Sequence, residues 1–351
     1  MSTSELIKVL IVDDSSVVRQ ILSRDLGRDS QIQVVGTAPD PYVARDKIVA
    51  LQPHVIILDV EMPRMDGITF LSKLMAHHPL PVIILSSLTG RGTQTAVDAM
   101  AAGAVEVMCK PGTAYSVENV ASLLIEKIKI AAKARVRATV QAPAIRAHAG
   151  AASELATTDK LFAIGASTGG VQALTEVLTA FPADAPGTLV VQHMPANFTA
   201  SFAKRLSTLC RVEVREAADG DSVFPGRVLI APGDFHMVLR RSGARYHVEL
   251  KKGPEVHHQR PSVEVMFDSV AKYAGANAVG AILTGMGADG ALGLLNMRRA
   301  GARTIAQDEA TSTVWGMPGE AVKCGAAEQV VPLHEVAPAL LHFVRQMNHA
   351  I

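Results

Sequence analysis

Residues Leu161–Gly170 read LFAIGASTGG, an apolar run that ends in a turn of small residues with Ser167 at its apex. Val171, Leu174, Val177 and Leu178 follow at helical spacing, so the stretch predicts a strand that breaks sharply into a helix. Such a junction belongs to an α/β fold. It holds a hydroxyl clear of the sheet and aims the first free N–H groups of the helix at whatever that hydroxyl attacks. Gly169 and Gly170 let the backbone turn tightly, and Ala166 leaves the near side uncrowded. The same turn could instead cradle a phosphate or simply reverse the chain.

Two further strand ends bear on the choice. GTLVVQHMP (187–195) reads as a strand ending at His193, with a helix over 197–209 behind Pro195. NAVGAILTG (277–285) reads as another, breaking into MGADG before a helix that contains Leu292, Leu294 and Leu295. Ser167, His193 and Asp289 therefore each lie just beyond the carboxyl end of a parallel strand, where open α/β sheets place their sites. A serine hydroxyl is a poor nucleophile until a neutral imidazole takes its proton, and a carboxylate fixes the tautomer of that imidazole and steadies the imidazolium. The backbone N–H groups of Thr168 and of the Gly285-Met286-Gly287 turn are candidate donors to the oxyanion. Taken singly, His193 could be a strand-end histidine satisfied by backbone and Asp289 a helix N-cap. The turn is not the G-x-S-x-G elbow of lipases, and the chain order is Ser, His, Asp. A nucleotide-binding reading of the two glycine-rich loops lacks both a P-loop lysine and a full G-x-G-x-x-G.

The first part of the chain alternates strands with amphipathic segments five times: KVLIVDD, IQVVGTA, HVIILDV, PVIILSS and VEVMCK. That alternation predicts a doubly wound parallel sheet with its crevice at the carboxyl ends of the strands. Asp13 and Asp14 close the first strand, Asp59 the third, Ser86 the fourth, and Lys110, followed by Pro111, the fifth. Three carboxylates in one crevice repel unless a cation sits among them, and hard oxygen ligands suit Mg²⁺. With a lysine and a hydroxyl beside them, the set suits an aspartyl phosphate on Asp59. Taken singly, Asp13 and Asp14 could be a solvated turn and helix cap, and Lys110 a surface lysine.

A length of 351 residues accommodates two domains, and a net charge of +1 leaves no electrostatic footprint for nucleic acid. No helix-turn-helix is legible. The N-terminal MSTSELIKVLIVDD reads as a strand, not a signal peptide, and no apolar run reaches membrane-span length, so a cytoplasmic chain is expected. Cys109, Cys210 and Cys324 lack CxxC spacing and read as reduced, mostly buried thiols. The scattered histidines argue against a histidine-bound metal. Residues 138–158, rich in alanine with Pro143 and Gly150, read as a flexible tether, with a continued helix as the alternative.

The five strand-end residues, with PRMDG after the third strand and KP after the fifth, resemble the receiver domains of two-component response regulators. That resemblance implies that Asp59 is the phosphoacceptor, that Asp13, Asp14 and the Glu61 backbone carbonyl hold Mg²⁺ with it, that Ser86 senses the phosphoryl group and that Lys110 pairs with it. Many receivers carry an aromatic switch residue three positions before the lysine; here that place is Val107. In the second part GASTGG, VVQHMPANFTASFAKRL, VLIAPGDFHM, RPSVEVMFDSVA, LTGMGADGALGL and VWGMPGEAV resemble the methylesterase domain of the CheB family of chemotaxis response regulators.

The expectation is then two doubly wound domains: a flavodoxin-like receiver over 6–125, a linker over 126–158 and a Rossmann-like methylesterase domain over 159–349. The resemblance implies Ser167 as nucleophile, His193 as base and then acid, Asp289 as its orienting carboxylate, and Met286 with Thr168 at the oxyanion hole. It implies glutamate methyl esters on the cytoplasmic helices of methyl-accepting chemoreceptors as substrates, with deamidation of receptor glutamines a further activity of some members. It implies the histidine kinase CheA as phosphodonor, no cofactor for ester hydrolysis, and work at membrane receptor arrays through protein contacts, with no nucleic acid and no direct membrane insertion. The receiver is expected to obstruct Ser167 until it is phosphorylated. The Trp315–Pro318 turn and the Arg260–Ser262 segment are read as lining the receptor groove.

Overall fold

Short β-branched runs alternate with amphipathic helices twice over, and each series closes its own parallel sheet. The computed structural model describes residues 6–62, 67–86, 90–110, 117–136 and 159–349. They fall in two units, Met1–Ile145 and Arg146–Ile351. Residues 63–66 of PRMDG, Pro111 and the tether read over 138–158 lie outside the described residues.

The first unit runs β1 (Ile7–Val12), α1 (Ser16–Leu26), β2 (Ile32–Ala38), α2 (Pro41–Leu51), β3 (Val55–Asp59), α3 (Gly67–His77), β4 (Val82–Ser86), α4 (Gly90–Ala101), β5 (Glu106–Cys109) and α5 (Val117–Ala131). Its sheet has the order β2-β1-β3-β4-β5, with every pair parallel. The order reverses between β1 and β3, so their carboxyl ends open the crevice at a topological switch point. β3 and β4 are buried at every residue, which is why they read as unbroken apolar runs. Ser15 caps α1 by accepting from the Val18 N–H, and Asp40 caps α2 by accepting from Tyr42 and Val43, with Pro41 behind it. Leu124, Ile128 and Ala131 of α5 are all in the core with Val9, Ile11 and Leu26. The unit therefore extends past residue 125, where the sequence reading ended it, because the apolar face of α5 continues for two more turns.

The second unit opens with β6 (Leu161–Ala166), α6 (Gly170–Thr179), β7 (Gly187–Gln192), α7 (Phe198–Leu209), β8 (Glu213–Glu216), β9 (Ser222–Val223), β10 (Arg227–Ile230), β11 (His236–Ser242) and β12 (Arg245–Lys251). It continues with α8 (Val263–Tyr273), β13 (Ala278–Ile282), α9 (Ala291–Arg299), β14 (Arg303–Gln307), α10 (Met317–Lys323), β15 (Gln329–Val331) and α11 (Leu333–His349). Seven strands form a parallel sheet in the order β15-β14-β13-β6-β7-β10-β8. Its three central strands, β13, β6 and β7, are adjacent and fully buried. These strands carry the three residues singled out from the sequence.

A second, antiparallel sheet of order β11-β12-β9 was not separated in the sequence reading. Its signal is the alternation of Met237 and Leu239 on β11 and of Tyr246 and Val248 on β12, all buried, around a turn at Gly243 whose φ is +58°. That buried face packs into the same core as Phe267 and Val270 of α8. It thereby fixes α8 beside the carboxyl ends of the parallel strands.

Candidate active site

β6 delivers Ser167 directly at its end, where the Ser167 N–H donates to the Thr284 carbonyl at 3.0 Å and the His193 N–H donates to the Ala166 carbonyl at 3.1 Å. The three strand ends are thus tied together by backbone. The Gln192 amide adds a staple: its Nε2 donates to the Ser167 carbonyl at 2.9 Å and to the His193 carbonyl at 3.1 Å. Gly169, at φ +80°, makes the turn into α6, whose N-terminus has no side-chain cap. Gly285 is required by close approach, because a Cβ there would lie 2.7 Å from Ser167 Cβ and 2.4 Å from Met317 Sδ. Sequence reasoning took these glycines as turn formers; at 285 the reason is Ser167 pressed against it.

Asp289 and His193 meet at 2.7 Å, Oδ2 to Nε2, with both side chains buried. This contact puts the imidazole proton on Nε2 and leaves Nδ1 as the nitrogen available to Ser167. Ser167 is 4% exposed. Among the described residues, neither Ser167 Oγ nor His193 Nδ1 makes a hydrogen bond, to each other or to any other group. Such catalytic contacts are commonly long before a substrate arrives. Met286, 43% exposed, carries a backbone N–H that makes no hydrogen bond among the described residues. The Thr168 carbonyl is held by Thr284 Oγ1 at 2.9 Å, at the head of α6.

The Asp289 carboxylate is fully engaged. Oδ1 accepts from Ser262 Oγ at 2.7 Å and from the Glu264 N–H at 3.0 Å, while Oδ2 accepts from His193 and from the Val263 N–H at 2.8 Å. Asp289 precedes α9, but it caps α8. Burial pushes its pKa up, yet the hydrogen bond and charge of His193, then Ser262 and the Glu264 N–H, outweigh that and hold it below the ordinary value of 3.8. Its folded value lies below the unfolded one, so the carboxylate contributes stability that is present above pH 3.8 and is lost as pH falls through the folded value. The gap in denaturation midpoint between the protein and an Asp289→Ala variant should therefore shrink as pH is lowered through that range. A constant gap would contradict an ionised Asp289.

The Arg260–Ser262 segment, read as lining the groove, divides: the Arg260 side chain is 22% exposed, and Pro261 and Ser262 are buried. Ser262 is fully buried and serves Asp289, while the Arg260 guanidinium is held by Asp234 and, at 2.7 Å, by the Gly253 carbonyl. The Trp315 indole N–H is likewise engaged, donating to the Gln307 carbonyl at 3.2 Å. Sequence reasoning missed Gln192 and Thr284 as parts of the site, and read Ser262 as a groove residue without its bond to Asp289. Only Ser262 left a trace, as an N-cap before the apolar pattern of α8.

In the first unit Lys110 Nζ lies 2.6 Å from Asp59 Oδ2 and 3.3 Å from Asp13 Oδ2. Asp59 and Asp13 are buried and Asp14 is exposed, and the three bring carboxylate oxygens within 4.8 Å of one another. Asp13 Oδ2 is buried with the Lys110 ammonium 3.3 Å away as its partner, and three carboxylates around one lysine leave negative charge for a hard cation to offset, so the donor set fits Mg²⁺. Asp59 Oδ1 accepts from the Glu61 N–H at 2.8 Å. Burial lifts Asp59 above the ordinary carboxylate range, against the pull of Lys110 and the Glu61 N–H. Ser86 Oγ donates to the Gly92 carbonyl of α4 at 2.9 Å. Val107 is buried on β5. Burial pushes the thiols of Cys109 and Cys210 up to about 11 and about 12, so both are protonated and unreactive at neutral pH.

Residues 162–340 match the CheB methylesterase family and residues 9–121 the response regulator receiver domain. Protein-glutamate methylesterase/protein-glutamine glutaminase 2 of Syntrophus aciditrophicus is 58% identical over 342 residues, covering 96% of this chain and 99% of its own. The protein-glutamate methylesterase/protein-glutamine glutaminase of Bdellovibrio bacteriovorus is 52% identical over 350 residues, covering 98% and 99%. The crystal structure of the Thermotoga maritima CheB methylesterase catalytic domain aligns over 53% of this chain and 98% of its own, with 37% identity and a TM-score of 0.52.

Proposed function

The chain belongs to the CheB methylesterase family, and from that premise we propose that it is a phosphorylation-regulated serine esterase that hydrolyses glutamate methyl esters on chemoreceptor cytoplasmic helices. The observation that carries this reading is the His193–Asp289 pair at 2.7 Å, at strand ends that flank Ser167. Ser167 Oγ attacks the ester carbonyl while His193 Nδ1 takes its proton. The developing oxyanion accepts from the Met286 N–H and from Thr168 at the head of α6, where the helix dipole also favours negative charge. His193 then gives the proton to departing methanol, and water repeats the relay to release glutamate. A glutamine side chain offers the same carbonyl with ammonia as leaving group, which fits deamidation as a second activity of the site.

Regulation rests on the first unit. Asp59 accepts the phosphoryl group from a histidine kinase, CheA by family, with Lys110 pairing to the added charge. Asp13, Asp14, Asp59 and the Glu61 carbonyl would hold Mg²⁺, which would supply charge neutralisation at the phosphoryl oxygens. Turning Ser86 Oγ toward that phosphoryl group takes its hydroxyl away from Gly92, which is how α4 feels the event without an aromatic residue at Val107. Phosphorylation of Asp59 then raises the esterase activity of the second unit. Among the described residues no helix is long and apolar enough to cross a membrane. The chain acts in the cytoplasm and reaches receptor arrays through protein contacts.

Methanol release from methylated receptor membranes, with and without a small acyl phosphate, tests both halves. The parent protein should respond to the phosphodonor, and Asp59→Asn should keep the basal rate while losing the response. A response that survives in Asp59→Asn would remove Asp59 from the mechanism, and no methanol release from the parent would remove the esterase.

A further inference from the structure

We propose that Glu264 and Ser262 are positioning residues that hold the Asp289 carboxylate against His193 through a reciprocal cap between α8 and α9. This rests on the esterase reading of the triad. Asp289 lies just before α9, but its oxygens take the Ser262 hydroxyl and the Val263 and Glu264 N–H groups at the start of α8. In return Glu264 Oε2, from the first turn of α8, accepts from the Gly290 N–H at 3.0 Å at the start of α9. Gly290 has no side chain to cap α9 itself, so each helix start is closed by a carboxylate from the other.

The pair is seated from both sides. Val263 fills a slot left by two glycines: a Cβ on Gly165 or on Gly290 would lie 2.2 or 2.4 Å from Val263 Cγ1. On the far side the buried His236 accepts from the Ser262 N–H through Nδ1 at 3.2 Å and bonds the Pro254 carbonyl through Nε2 at 2.9 Å. Ser262 is therefore fixed by a neutral imidazole whose proton sits on Nε2. With three donors from α8 setting its plane, the Asp289 carboxylate leaves one lone pair of Oδ2 for His193. Burial lifts the Glu264 carboxyl above the ordinary glutamate range, offset in part by the Gly293 N–H, with the charges of Asp268 and Asp289 adding to the rise. A glutamine at 264 keeps an oxygen acceptor for the Gly290 N–H.

The test uses the full chain, with methanol release from methylated receptor membranes expressed per active site titrated by a fluorophosphonate. Glu264→Leu and Ser262→Ala should each lower kcat per titrated site roughly tenfold to a hundredfold, with KM within about twofold. Glu264→Gln, which keeps an acceptor for the Gly290 N–H, should recover at least about half the parent rate, since a neutral acceptor satisfies the same donor. A Glu264→Leu protein that loses titratable sites while each remaining site turns over at the parent rate would show a merely structural role and overturn the proposal. So would equal losses in the Gln and Leu variants. If Glu264→Leu does not fold, Ser262→Ala decides alone: an undiminished kcat per site rejects the proposal. Failure of the parent itself to be titrated at Ser167 would instead reject the underlying hydrolase reading and take this inference with it.

Discussion

Replacing Ser167 with alanine should cut methanol release from methylated receptors by roughly four to six orders of magnitude while leaving substrate binding nearly unchanged. Only the hydroxyl is lost. The backbone around it is set by the Thr284 and Gln192 contacts, which involve main-chain atoms of residue 167 and survive the change. The hydroxyl makes no hydrogen bond among the described residues, so its removal strands no buried partner and stability should move by less than about 0.5 kcal/mol. A large kinetic loss with an unmoved denaturation midpoint is the signature of a nucleophile. Retention of most of the activity would show that the turn at 165–170 is only a bend between strand and helix.

Asp289→Asn should lower kcat by roughly four orders of magnitude, although the two side chains have nearly the same shape. Both carboxylate oxygens face donors, so an amide NH₂ in either position meets hydrogens instead of acceptors. If the NH₂ turns toward His193, Nε2 must become the acceptor and the imidazole proton moves to Nδ1. That tautomer points a proton at Ser167 and cannot deprotonate it. If the NH₂ turns toward α8, it opposes the Ser262 hydroxyl and the Glu264 N–H, and each buried group left unpaired costs about 1–3 kcal/mol. The variant is therefore also expected to unfold earlier than the parent, unlike Ser167→Ala. Activity within tenfold of the parent would mean that Asp289 is a helix cap and no more.

The strand ends were legible because buried parallel strands are written as unbroken apolar runs, and the residue that stops each run is the residue at the mouth of the sheet. Leu161–Ala166 and Gly187–Gln192 end within a residue of where the sequence predicts, Ala278–Ile282 ends three residues before the predicted Gly285, and the three lie side by side. Their adjacency was not written locally. It follows from the sheet order, which the chain sets by returning to β13 after forming β7, β10 and β8 on the other side of β6. The partners of Asp289 were illegible for the same reason: Ser262 lies on a segment that packs against the site only because the antiparallel sheet and α8 fold back over the parallel one. Within Arg260–Ser262 the role of Ser262 was not legible: it is buried and bonded to Asp289, while Arg260, 22% exposed, pairs with an Asp234 that is 42% exposed. In the first unit the acidic cluster and Lys110 were legible, because each residue terminates its own strand. The burial of Asp13 and Asp59 against an exposed Asp14 was not, since neighbouring residues at a strand end face different ways.

The measurement that tests the triad most directly is the mapping of a serine-reactive phosphonate on the full-length protein, with methanol release followed in the same samples. The expected result is one adduct per chain on the peptide containing Ser167, accumulating in step with the loss of activity and abolished by His193→Ala. An adduct on another residue, or an esterase still active when Ser167 is fully labelled, would contradict it.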